Sequence, residues 1–73
     1  MKTRYKYIYF EKDVITKNSN HPMWLCCNNK TDIQLGKIEW YAPWRQYCFE
    51  AHDELVVFSK SCLQDICHFM SQL

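Results

Sequence analysis

Glycine is nearly missing: Gly36 is the only one in 73 residues, and Pro22 and Pro43 are the only prolines. A chain so poor in both is neither a linker nor a low-complexity tail, which are enriched in those residues. A surplus of one charge is also lacking, since 9 Lys and Arg face 8 Asp and Glu for a formal +1. That balance argues against broad electrostatic attachment to nucleic acid, which needs a basic excess on one face. No apolar run approaches the roughly 18–20 residues of a membrane span. Met1–Lys12 alternates charge with Tyr where a secretory leader would carry a continuous apolar stretch. The expectation is a single domain, residues 1–73, acting in the cytoplasm and away from membranes.

What the chain has in quantity is aromatic and sulfur-bearing side chains: 3 Trp, 5 Tyr, 4 Phe and 5 Cys. A chain of this size buries only about 60% of the surface its unfolded form exposes, so large rings, each hiding roughly 150–250 Å², are its means of building a core. The odd cysteine count excludes a fully paired set of internal disulfides, and Cys26 and Cys27 are neighbours. Reduced thiols serving as small apolar groups are expected.

Alternation predicts strands at Arg4–Phe10, Met23–Cys27, Gln34–Tyr41 and Arg45–Glu50, and a fifth, short and wholly apolar, at Leu55–Phe58. Polar clusters at Asn18–Pro22 and Asn28–Asp32 read as turns. Gly36 inside a strand signals a bulge or close packing under a large ring. Cys62, Leu63, Ile66, Cys67, Met70 and Leu73 recur at spacings of three and four, one stripe of an amphipathic helix over Ser59–Leu73. Ser59 is a candidate N-cap, with Ser61 and Gln64 as a rival capping box. Strands followed by one helix give an α+β fold: an antiparallel sheet of four or five strands with the helix on one face. The predicted core is Ile8, Leu25, Ile38, Trp40, Tyr47, Phe49, Val57, Leu63, Ile66 and Met70.

Four chemistries compete for the remaining residues. Cys62, Cys67 and His68 invite a metal, but positions five apart on a helix diverge and zinc spacings are absent, so neither metal nor cofactor is expected. Cys48 near Arg45, or Cys62 in the first helical turn, suggests a thiol nucleophile, yet a thiol on an apolar stripe is inert. Glu50, Asp53 and Glu54 read as a solvated turn. Tyr5, Tyr7 and Tyr9 flanked by Lys2, Arg4 and Lys6 form, on paper, a strip that stacks single-stranded bases. The same tyrosines also suit plain cross-strand pairing. Trp24, Trp40, Tyr41, Trp44 and Arg45 have the chemistry of protein interfaces. A non-enzymatic protein-binding or self-associating module is the favoured reading, with Trp44, Arg45, Tyr41, Tyr5 and Tyr7 as contact residues. Single-stranded nucleic-acid binding is the alternative.

The segment Trp40–Phe49, WYAPWRQYCF, reads as a hairpin that sets Trp40 across from Tyr47, stacks Arg45 on a ring and leaves Trp44 exposed at the turn. Leu35–Met70 also resembles a group of short proteins of bacteria, archaea and their phages. They share the pattern L-G-x-I-x-W-Y-x-P-W-R-x-Y-x-F, then V-F-S-x-x-C-L-x-D-I-x-x-F. The resemblance implies a small β-then-α domain and assigns it no enzyme activity. It fits a phage or mobile-element accessory protein that binds and blocks a host protein, defence nucleases included. His52–Leu55 departs from the pattern, where the group tends to carry Pro.

Overall fold

In a computed structural model describing residues 1–73, the alternating segments form β1 (Ile8–Lys12), β2 (Trp24–Asn28), β3 (Gln34–Tyr41) and β4 (Gln46–Ala51), followed by helix α1 (Lys60–Met70). The sheet is an antiparallel meander in the order β1-β2-β3-β4. This is the small α+β architecture that the segment order implies. Each hairpin is closed by local chemistry. Asn28 Oδ1 accepts from the main-chain N–H groups of Lys30 and Thr31, and Asp32 adopts the left-handed conformation at φ 60°. The β3–β4 connection is one 3-10 turn, Ala42–Trp44, with Pro43 at its start and Arg45 left-handed at φ 51° at its end.

Register fixes the two faces. Ile8 and Phe10 on β1, Trp24 and Cys26 on β2, Gly36, Ile38 and Trp40 on β3, and Tyr47 and Phe49 on β4 share the face beneath α1. Ile66 and Phe69 descend onto it from the helix. The Phe69 ring stacks on Phe10 at 4.0 Å between centroids and meets Trp24 edge-on at 5.0 Å. Ser59 caps the helix, its hydroxyl accepting from Cys62 N–H at 3.1 Å, which decides between the two candidate caps. Gly36 lies under the Phe49 ring, as its place in a strand predicts, beside a shift in the β2–β3 register at Cys26/Cys27.

Several expectations need correction. The Leu55–Phe58 strand does not form. Asp53 turns the chain, its carboxylate accepting from Leu55 N–H at 2.7 Å, and the segment must leave the sheet plane to reach α1. Only Phe58 docks, edge-on against Phe49 at 5.3 Å, while Val57, predicted in the core, is 89% exposed. The buried stripe of α1 is rotated from the predicted one. Phe69 is the most deeply buried helix residue, Cys62, Ile66 and Met70 flank it, and Leu63 is 50% exposed. One long ring sets which side the helix presents. Leu25, also predicted in the core, is half-buried because its side chain lies on the opposite sheet face.

The amino-terminal tyrosine row is broken up. Residues before Ile8 fold back along β1, with Phe10 N–H donating to Thr3 O and Tyr5 N–H to Ile8 O, each at 2.8 Å. Asn29 Nδ2 fastens this reversal by donating to Tyr5 O and Lys6 O. Tyr5 therefore enters the core, edge-on to Phe10 at 5.9 Å, with its hydroxyl 2.7 Å from His68 Nδ1. Burial, and after it the Asp65 carboxylate, raises its phenol pKa. Tyr7 stays exposed at the reversal, and Tyr9 sits on the helix-free face, donating to Asp32 Oδ1 at 2.9 Å.

Candidate recognition surface

Because one helix covers one face, the other face of the sheet has no helix or strand across it. Period-two alternation puts Glu11, Leu25, Lys37, Glu39, Tyr41, Gln46, Cys48 and Glu50 there. Its β3–β4 end is shaped into an open cleft of about 270 Å³, lined by Glu39, Tyr41, Trp44, Cys48 and Glu50. Trp44 is 65% exposed and Tyr41 45% exposed. The two rings are packed edge-to-face at 4.9 Å, which holds the indole upright at the cleft's rim. The 3-10 turn makes this arrangement: Pro43 fixes the chain's reversal, and Trp44 follows it directly.

The cleft carries two carboxylates. Lys37 Nζ lies 3.9 Å from Glu39 Oε1, the only ion pair in the molecule, and Lys37 also sits directly across the strands from Glu50, which has this cationic neighbour but forms no ion pair. Other basic groups are gathered elsewhere. Lys2, Arg4 and Lys6 lie over the rings of Tyr5, Tyr9 and Tyr7, and Lys12 over Trp24, at 4.5–5.6 Å.

The five sequence-chosen contact residues are not one site. Tyr41 and Trp44 meet. Arg45, expected beside Trp44 and stacked on a ring, stacks on none. Its left-handed backbone turns it to the helix side, where it lines a second cleft with Trp40, Tyr47, Met70 and Leu73. Tyr5 is in the core, and its fold-back contact with α1 removes it from any surface. Tyr7 is exposed at the corner of the sheet diagonally opposite Trp44, as the register from Ile8–Asn28 to Tyr41–Gln46 shows. Glu39, Cys48 and Glu50 were missed as cleft residues. The signal was present, since strand alternation already set them on the Tyr41 side. The hairpin's other expectation holds: Trp40 and Tyr47 pair across the strands, edge-to-face at 5.5 Å. His21 stacks on Trp40 at 3.8 Å, and Tyr47 donates its hydroxyl to Pro22 O at 3.1 Å.

No three His, Cys, Asp or Glu side chains converge where a metal ion would be held. All five cysteines are free thiols. Burial pushes the Cys26 thiol up to about 12 and raises that of Cys27, so both are protonated and unreactive at neutral pH. Thiol labelling at pH 7 is expected to modify exposed Cys67 first and half-buried Cys48 and Cys62 more slowly. Cys26 and Cys27 should react only once denaturant is added. Mass spectrometry of a labelling time course checks the order, and early modification of Cys26 would show that the sheet opens locally.

No helix is long and apolar enough to cross a membrane. No family model, curated protein or solved structure matches the chain.

Proposed function

We propose that the protein is a non-enzymatic protein-recognition module that binds through its helix-free sheet face. The observation that carries this reading is the Tyr41–Trp44 pair, held upright at a cleft with two carboxylates on a face no other element covers. Tyr and Trp dominate interface hot spots because they supply large rigid contact area. The chemistry of the cleft fits a Lys or Arg side chain of the partner, its stem against the two rings and its charge toward Glu50. A role in blocking a host protein, as for a phage or mobile-element accessory protein acting in the cytoplasm, extends this reading on the resemblance of Leu35–Met70 alone.

Single-stranded nucleic acid is the weaker reading. It needs the three tyrosines as one stacking platform, and the fold sends them to three places. It also needs a basic face, whereas on the open face Lys37 and Arg4 are met by Glu11, Glu39 and Glu50, which leaves no basic excess.

Trp44→Ala tests the proposal. At a hot spot the truncation costs about 2 kcal/mol or more, on the order of thirtyfold in affinity. The melting temperature should hardly move, because the ring contributes little to the core. Proteins captured from bacterial lysate by the unaltered chain should be lost by Trp44→Ala and kept by Lys17→Ala. Equal capture by all three, or a Trp44→Ala variant that melts much earlier, would overturn the reading. Binding to an oligonucleotide that weakens steeply with salt would favour the nucleic-acid alternative.

A further inference from the structure

The two edges of the sheet are treated differently. The β1 edge is covered by the chain itself, through the Thr3–Phe10 hydrogen bond and the Arg4–Tyr9 bridge. The β4 edge is bare. His52 N–H donates to Leu35 O at 2.8 Å, which makes 35 and 52 a hydrogen-bonded pair. Antiparallel ladders alternate bonded and non-bonded pairs, so Lys37/Glu50, Glu39/Cys48 and Tyr41/Gln46 are bonded. The main-chain groups of Tyr47, Phe49 and Ala51 then point outward, and nothing in the chain bonds to them. Six residues long, β4 has no Pro, no Lys and no bulge, the usual devices that keep an edge solitary.

We infer that the β4 edge pairs with the β4 edge of a second copy, antiparallel, about a two-fold axis at Cys48. The sequence QYCFEA is self-complementary in that register. Tyr47 bonds to Phe49 of the second copy through the outward main-chain groups, and the pair recurs across the axis. On the helix side each aromatic ring then meets an aromatic ring, and on the other side the Gln46 amide meets the Glu50 carboxylate. Moving the axis to Glu50 opposes two like charges, and moving it to Phe49 sets Tyr47 against Ala51. The flanks agree. Antiparallel pairing brings the turn Ala42–Arg45 of one copy beside the loop after β4 of the other, where Leu55 is 85% exposed and Val57 lies bare next to it. The product is one eight-stranded sheet with both helices on one face and both clefts on the other. The inference goes beyond the recognition surface proposed above and does not depend on it, because it rests on the edge and is read with purified protein alone.

The register makes a sharp test possible. Cys48 faces Cys48 of the second copy as a non-bonded pair, with Cα atoms about 4.5 Å apart, inside the range a disulfide spans. Copper(II)–phenanthroline, taking two electrons as the two thiols release their protons, should join the copies through Cys48, as shown by peptide mapping, and a Cys67→Ser chain should crosslink as well as the parent. In reducing buffer, sedimentation velocity across the micromolar range should show a monomer–dimer equilibrium. Cys48→Lys and Cys48→Glu should each be monomeric, and an equimolar mixture of the two should form dimers again. Circular dichroism reports whether each variant keeps the monomer fold, and the oxidation of the unaltered chain stands on its own if neither does. A monomer at every concentration, a Cys48→Lys variant that dimerises as well as the parent, or crosslinks through exposed Cys67 with none at Cys48 would each overturn the inference.

Discussion

Phe69→Ala is expected to leave the protein largely unfolded at 37 °C. The ring is completely buried, stacked on Phe10 and set edge-on to Trp24, so it joins α1 to β1 and β2 at once. Truncating a buried Phe costs about 3–5 kcal/mol in lost transfer energy and cavity. Domains hold about 0.05–0.15 kcal/mol per residue, so a chain this short has little beyond that loss. In a domain of this size each kcal/mol moves the melting temperature by about 4–8 °C, so a fall of at least about 12 °C is expected. Leu63→Ala on the same helix should stay within about 0.5 kcal/mol of the parent, since half of that side chain is in water. Thermal melts followed by circular dichroism compare the two. Equal losses would mean that α1 docks through its other side.

Gly36→Ala should be the most damaging single-methyl change in the chain. A Cβ at this position would lie 2.6 Å from Glu50 O and 2.6 Å from Phe49 Cζ. The ring edge can swing away, but the carbonyl belongs to the β3–β4 ladder and cannot move without parting the strands. Overpacking of this kind costs about 1–3 kcal/mol, and a backbone obstacle places it at the upper end. The double variant Gly36→Ala/Phe49→Leu separates the two obstacles. Removing the ring should restore only a minor part of the lost stability, and full recovery would show that the carbonyl gives way after all. Because β4 holds both the cleft and the bare edge, Gly36→Ala should also weaken whatever binds there.

The strands were legible because their side chains alternate, and alternation alone set Glu39, Tyr41, Cys48 and Glu50 on one face. The Gly36 packing was legible for a related reason: a lone glycine in a strand has to be accommodating something. What could not be read was where the chain changes layer. Leu55–Phe58 has the composition of a strand, but an Asp53 turn and the need to climb to α1 overrule it. Tyr5, Tyr7 and Tyr9 share a parity that means one face only if the strand is continuous, and a side chain 24 residues away, Asn29, folds it back. The helix stripe was drawn through Leu63 and Cys67 because both are apolar, and no local pattern says that the Phe69 ring will claim the space between Phe10 and Trp24. Of the candidate site, the Tyr41–Trp44 pair was visible as a turn carrying rings. Arg45 was expected to stack on a ring, and that contact does not form, because its left-handed backbone, a tertiary outcome, turns it toward Trp40 and Tyr47 and away from Trp44.

The fold-back of the first residues has a topological consequence. Lys2 and Gln72 exchange two hydrogen bonds, each 2.7 Å long, so the two ends of the described chain meet beside the helix. The sheet itself is stitched by hairpins between consecutive strands, and its ladders do not depend on where the covalent path is cut. A circular permutant that joins Leu73 to Met1 through a short Gly-Ser bridge and opens in the polar Asn18–Asn20 turn keeps every strand pair, and adjacent termini are what make such rewiring tolerable. It would also carry new ends on the β1–β2 connection, beside the His21–Trp40 stack, so that a fused reporter would hang on the helix side of the sheet.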